Sequence, residues 1–522
     1  MKNNCQQRFD TLFIVTTIQH MQLLTSEQIH SWDTYTINQE KITSLDLMER
    51  AASGCITWLE HHYINRHFII YCGKGNNGGD GLALARLLLL KHFTAEVFII
   101  ESHHKGTEDF QANLARLEQT GIPVTFVRSE DQFNLVPPGA VLIDAIFGSG
   151  LNRPADGIIS NLINHINDSG NDIIAIDIPS GMFADKTSKG NSIINAHHTL
   201  TFQTYKLALL LPENEEHFGE VHVLAIGLSP VFLSGLKTMF EILDKPLIRS
   251  IYKPRKSFAH KGSFGHALML TGSYGKMGAA VLSSRACLRS GAGLVSVCIP
   301  SCGYDILQTS VPEAMAIPDA EKNYLTKNST DADLSIFNAI GIGPGIGMQD
   351  ATAEAVDYLF SRYTLPVVID ADCLNILAKH TELFKKLAPL SILTPHPKEF
   401  ERLFGKTEND FERIILAKSK AKELQVIIIL KGHKTLVAMP DGKAYFNNTG
   451  NAGMATGGSG DVLTGILTGL LAQKYKPESA ALLGVYIHGM AGDYAAEKKT
   501  QESMIASDIT DSLGDGFREL ST

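Results

Sequence analysis

Residues 449–461 read Thr-Gly-Asn-Ala-Gly-Met-Ala-Thr-Gly-Gly-Ser-Gly-Asp and run straight into an apolar stretch, 462–471. Small residues let the backbone approach a bound group closely. Free N–H groups at a helix start then favour an anion. Asp461 stands where a carboxylate can face that anion and accept a proton. The chemistry this implies is phosphoryl transfer with an adjacent acid. A plain tight turn before a buried helix does not need so many glycines closed by an aspartate.

Three other clusters carry polar oxygens. One is Asn76, Asn77, Gly78, Gly79 and Asp80. The next is Asp144, followed by Gly148, Ser149, Gly150, Leu151, Asn152, Arg153 and Pro154. The last is Asp177, Pro179, Ser180 and Gly181. Amide, carboxylate and hydroxyl oxygens together suit a hard cation, and their low combined charge suits a monovalent ion better than Mg²⁺. The Gly78-Gly79 and Gly148/Gly150 backbones suit phosphate. Any one cluster reads equally as an ordinary turn; three in register on one sheet do not.

Further on, Lys431, Gly432, His433, Lys434 and Thr435 close an apolar run. Lysine there, followed by glycine and a hydroxyl, suits a nucleotide phosphate. Glycines 343, 345 and 347 permit close packing against a planar ring or its phosphates, and Asp370, Asp372 and Asn375 follow another run. His396 lies between two prolines, which hold it rigidly.

These residues must be positioned by strand ends. Apolar strands are expected at 68–72, 95–100, 141–147 and 173–178, with helices at about 44–61 and 82–90 and a helix N-cap at Ser26. Strands alternating with helices, with glycines after the strands, imply a mostly parallel sheet covered on both faces. The first half therefore reads as a doubly wound, Rossmann-like α/β domain. The rhythm breaks at 236–257, which is rich in Lys, Arg and Pro and is expected to be a linker. A fresh alternation follows, with strands near 267–271, 294–299, 339–341, 367–370, 391–394 and 426–431 and helices such as 279–290 and 352–361. The expected domains are 21–240 and 241–522. In both, ligands should meet the chain beyond the carboxyl ends of the strands.

The 522 residues suit two or three domains, and 44% apolar with 19% charged residues is ordinary globular composition. A formal net charge of -9 without a long basic run argues against nucleic acid and for a neutral or weakly anionic small molecule. The seven cysteines are scattered and read as free thiols of a reducing compartment. No quartet of Cys or His appears, so structural zinc is not expected. No apolar run is long enough to span a bilayer. Residues 1–20 lack the layout of a secretory signal and read as a frayed extension or an over-called start before Met21. The expected location is the cytoplasm, with no membrane partner.

The runs 73–81, 144–150 and 177–181 resemble the NAD(P)HX epimerase domain, and 260–278 and 449–461 resemble the ADP-dependent NAD(P)HX dehydratase domain, a ribokinase-like fold. The order is similar to that of the bifunctional NAD(P)H-hydrate repair family, from Met21 to the C-terminus. The resemblance implies that residues 76–80 contact the hydrate, and that Asn77, Asp144 and Ser180 hold K⁺. It implies that 148–154 cradle the substrate's phosphates, where Arg153 is a charge partner. Asp177 should reach the ring or ribose and is the candidate acid/base; Lys206, in a stretch less glycine-rich than the family's, is the other candidate. In the second domain the resemblance puts the adenine nucleotide on Lys431, Gly432, His433, Lys434, Thr435 and Gly460. It puts the hydrate against Ala279, Gly345, His396 and Asp461, with Asp461 as base.

The implied substrates are NADHX and NADPHX with ADP as co-substrate, accompanied by Mg²⁺ because phosphoryl transfer needs charge neutralisation. The residues leave ADP against ATP open, and a homo-oligomer is implied by the family alone. The rival reading is a ribokinase-like vitamin or small-alcohol kinase with a non-catalytic N-terminal binding module. It shares the Gly-Ser-Gly-Asp turn but leaves the Asn-Asn-Gly-Gly-Asp loop unexplained.

Overall fold

The computed structural model describes residues 22–101, 105–331 and 333–521. The reading of residues 1–20, and Cys5, lie outside them. The other six cysteines are free.

The first helix, Ser26–Glu40, opens on a capping box in which Thr25 and Gln28 satisfy each other's backbone N–H. Thr25, not Ser26, is its cap. Thr43 and Asp46 start Ser44–His62 in the same way. Among the described residues seven strands then form a parallel sheet in the order Val124–Val127, Thr94–Ile100, His67–Cys72, Val141–Ala145, Asp172–Ile176, His198–Phe202, Glu220–Leu224. Alternate side chains enter separate cores, as strand geometry requires. Phe68, Ile70 and Cys72 pack under the helices Ser44–His62 and Asn76–Leu90, while Ile69 and Tyr71 pack with Leu162 and Ile166 of Gly157–Asn167. Helices on both faces make the sheet doubly wound.

The second sheet has 11 strands among the described residues. Seven run parallel, from Ile427–Leu430 across Ile392–Leu393, Val367–Ile369, Ala339–Ile342, His266–Leu270 and Leu294–Ile299 to Met315–Pro318. Leu436–Ala438 and Ala444–Asn447 extend it antiparallel. Its two cores again separate by face, with Met269 and Val297 on the side of Ser459–Ala472 and Leu268, Leu270 and Ile369 on the other.

The stretch expected as a linker is structured. Phe240–Leu243 is a strand of the larger sheet and Lys245–Ile251 a helix. Gln22–Leu23 pairs antiparallel with that strand, so the N-terminal end of the described chain lies in the second sheet. Leu210 and Leu211 also enter its core. The expected division at 240/241 therefore falls inside a strand. No helix among the described residues is long and apolar enough to cross a membrane.

Candidate active sites

In the first sheet the chain switches sides between His67–Cys72 and Val141–Ala145, the position where doubly wound folds bind ligands. A cavity of about 570 Å³ opens there. Asn76, Asn77, Asp80, Gly148, Ser149, Gly150, Leu151, Asn152, Arg153, Pro154 and Asp177 all line it, as does Lys206. Gly78 and Gly79 do not. The helix begins at Asn76, earlier than expected, and packs these glycines inward. A Cβ on Gly78 would sit 1.8 Å from the Gly73 carbonyl oxygen, and one on Gly79 2.9 Å from Met48 Sδ. Their glycine character serves close packing. Gly148 does border the site: a Cβ there would meet Asp177 Oδ2 at 3.2 Å and Asn77 Cγ at 3.3 Å.

Asp177 holds a left-handed backbone with φ 67°, a sparsely populated conformation for a non-glycine residue. Its Oδ2 accepts from the Ser149 N–H at 3.0 Å and its Oδ1 pairs with Lys206 Nζ. Lys206 is 1% exposed and also donates to Thr201 Oγ1 at 2.8 Å. Burial pushes the Asp177 carboxyl up, but the Lys206 charge and hydrogen bonds outweigh it and hold the group below its usual range. Two other carboxyls of the cavity go the opposite way. Burial, then the Asp177 charge, raise Asp80 well above normal. The same two causes, opposed by Lys206, raise Asp33 to about 7. Asp33 comes from the helix Ser26–Glu40, and nothing in the sequence singled it out.

Asp144 and Ser180 bond to each other, and Ser180 reaches the cavity wall through Phe147. Asp144 accepts from the Ser180 N–H at 2.7 Å, and from its hydroxyl at 2.5 Å. Ser180 Oγ in turn accepts from the Phe147 N–H at 2.8 Å. Burial raises Asp144 to about 6 against these bonds. Asn77 is buried, and both polar atoms of its carboxamide lack a partner. A buried orphan amide requires an explanation. Its oxygen, like the Asp144 carboxylate and the Ser180 hydroxyl, is a donor of the type that a weakly charged hard cation takes.

In the second sheet Asp461 occupies the first turn of Ser459–Ala472, whose cap Gly458 has φ 94°. Burial, then the charge of Asp370, push its carboxyl to about 7; Lys431 opposes them. Lys431 Nζ donates to Asp370 Oδ1 at 2.7 Å, and Thr464 Oγ1 to Asp370 Oδ2 at 2.8 Å. A Cβ on Gly460 would fall 3.3 Å from Lys431 Nζ, so the glycine admits the lysine head. Asp372 accepts from the Gly347 N–H at 2.9 Å and from Lys276 Nζ at 3.1 Å, joining two glycine-rich loops. There Gly345, with φ 66°, abuts Ala279: a Cβ on it would be 3.1 Å from that of Ala279.

His396 caps the helix Pro397–Phe404. Its Nδ1 accepts from the Lys398 and Glu399 N–H groups at 3.1 and 3.3 Å. Burial, aided by Lys431 and Arg402 against Glu399, lowers its pKa. The neutral ring therefore carries its proton on Nε2. His396, Lys431, Gly432, His433, Thr435 and Gly460 line a cavity of about 750 Å³ with Asn447, Thr449, Leu463 and Val485. Lys434 points elsewhere, donating to Asn448 Oδ1 at 2.7 Å and lining a separate cavity of about 300 Å³. Sequence reasoning missed three contributors. Glu215 reaches this cavity from the first half, and buried His488, lowered to about 4 by burial, sits 3.4 Å from Ser459 Oγ. Asp370 stood in a strand-end cluster with no role attached.

Fold and sites define an α/β enzyme with two centres, each at the strand ends of its own sheet. Residues 44–208 match the profile described as the YjeF-related protein N-terminus, and 267–514 that of NAD(P)H-hydrate dehydratase. The bifunctional NAD(P)H-hydrate repair enzyme Nnr of Moorella thermoacetica is 36% identical, over 96% of this chain and 97% of its own. That of Escherichia coli is 34% identical, over 90% and 89%. The solved ADP/ATP-dependent NAD(P)H-hydrate dehydratase of Bacillus subtilis is 34% identical, covering 53% of this chain and 98% of its own at a TM-score of 0.49. The chain belongs to the family of bifunctional NAD(P)H-hydrate repair enzymes.

Proposed function

We propose that the centre on the first sheet epimerises R- and S-NAD(P)HX and that the centre on the second sheet dehydrates the S form to NAD(P)H at the expense of ADP or ATP. Similarity along nearly the whole chain carries this reading. In the first cavity Asn76 and Asp80 of the helix start and the loop 148–154 hold the hydrate and its phosphates, with Arg153 facing the charge. Asp177, kept ionised by Lys206, accepts a proton; Asp33, protonated below about 7, donates one. Asn77, Asp144 and Ser180 would hold K⁺, which would supply a positive charge to this centre.

In the second centre the nucleotide lies along Lys431, Gly432, His433, Thr435 and Gly460, and the hydrate against Ala279, Gly345, His396 and Asp461. Asp461 takes the proton of the ring hydroxyl as its oxygen attacks the terminal phosphorus, and AMP leaves when ADP is the donor. The backbone N–H groups at 457–460 stabilise the transferring charge. The ring nitrogen lone pair then expels phosphate, and loss of a proton from the neighbouring carbon restores the double bond. Mg²⁺, carried by the nucleotide, neutralises phosphate charge. The enzyme works in the cytoplasm as a homo-oligomer.

The test is incubation with mixed NADHX epimers and each nucleotide, following NADH absorbance. Full recovery is expected. No recovery with either nucleotide would defeat this reading, and a persistent phosphoester by mass spectrometry would favour the kinase one.

A further inference from the structure

The strands His198–Phe202 and Glu220–Leu224 form one edge of the first sheet. Their register pairs His198 with Glu220 and Leu200 with His222. His198, Glu220 and His222 thus share one face, at the ends of the strands opposite the cavity. His198 Nδ1 lies 3.2 Å from His222 Nε2. A Glu220 carboxylate oxygen lies 3.8 Å from each of these nitrogens.

We propose that His198, His222 and Glu220 bind a divalent transition metal of the Zn²⁺ class, with water in the fourth position. Two imidazole nitrogens on one tetrahedral ion, each at about 2.0–2.1 Å, stand roughly 3.3 Å apart. The observed spacing matches that bite. A hydrogen bond between the rings explains one contact, but not a carboxylate equidistant from both. The ligands come from two successive strands joined by the loop 203–219, so no compact motif marks the site. The ion staples the edge strand, a position folds otherwise protect. It closes the loop 203–219, which carries Lys206.

The test uses the full-length protein, stripped with a chelator and dialysed against Zn²⁺ at neutral pH. Wild type should hold roughly one more Zn²⁺ per chain than His198→Ala/His222→Ala, and Zn²⁺ should raise its melting temperature by mass action while leaving the variant's unmoved. Co²⁺ should give the absorption of a tetrahedral centre in wild type alone. Should the double variant fold poorly, Glu220→Gln serves instead: its side chain is 71% exposed, so the fold is unaffected while binding weakens. Equal metal content in wild type and variants, without the Co²⁺ spectrum, would overturn the proposal and leave a hydrogen-bonded histidine pair.

Discussion

The two centres reach one electrostatic arrangement from different chain elements. In the first, Lys206 pairs with Asp177, and Asp33 is pushed to about 7 by burial and the Asp177 charge. In the second, Lys431 pairs with Asp370, and Asp461 is pushed to about 7 by burial and the Asp370 charge. A lysine holds one aspartate, and that aspartate's charge keeps its neighbour's proton near neutral pH. The difference lies in where the raised acid stands. Asp461 closes a glycine-rich run at a helix start, beside N–H groups that suit an anion. Asp33 sits within the helix Ser26–Glu40, which lines the cavity through Ile29, His30 and Trp32 as well. The proposed roles follow: a base beside a phosphoryl site, and an acid facing a ring.

The largest break in the comparison is Asp461→Asn. The near-isosteric change should cut dehydration by roughly 10²–10⁴-fold, the usual worth of a general base, and leave epimerisation intact. Near wild-type turnover of the S hydrate would remove Asp461 from that role. Lys206→Met should act on the other centre alone. It strands a buried Asp177 charge, which costs about 3–5 kcal/mol of stability, and epimerisation should vanish. Thermal unfolding followed beside both assays checks this; an unchanged melting temperature would mean that the pair is dispensable.

The two raised acids should also give opposite pH limbs. Asp461 must be ionised, so dehydration rises as pH climbs through about 7. Asp33 must be protonated, so epimerisation falls through the same range. Rate profiles for pure S hydrate and for epimer exchange, from pH about 5.5 to 8.5, separate them; parallel limbs would erase the distinction. Asn77→Ala should weaken epimerisation by about tenfold and remove its response to K⁺. A K⁺ response that survives in this variant would place the ion elsewhere. The smallest effect is at His396. His396→Ala should cost about 0.5–2 kcal/mol by losing the helix cap, whereas His396→Asn keeps it. Loss of dehydration in both shows that the ring itself touches the hydrate; loss in Ala alone assigns it to the cap.

What could be read from the chain depended on how local the physics is. The strand ends of both halves were legible because apolar runs closed by glycine and aspartate are contiguous. Asp461, the cavity-lining run from Gly148 to Pro154, and Asp177 follow from that. Gly78 and Gly79 were visible as glycines, but their purpose was not: it depends on Gly73 and Met48 packing against them. Asp33, Glu215 and His488 gave no signal, since each gains its role only when a separate helix or loop is folded onto a sheet edge. The strand Phe240–Leu243 was hidden because its four residues sit among charges and prolines. Its partner, Gln22–Leu23, is too short to show any period.

The most direct test follows both epimers at once. Wild type and Asp461→Asn are given an R/S mixture of NADHX with ADP or ATP, and each species is resolved by chromatography. Wild type should convert both epimers to NADH. Asp461→Asn should form almost none, while R and S continue to interconvert at the wild-type rate. If the variant loses both reactions together, or wild type leaves the R epimer untouched, the account of two separable centres is contradicted.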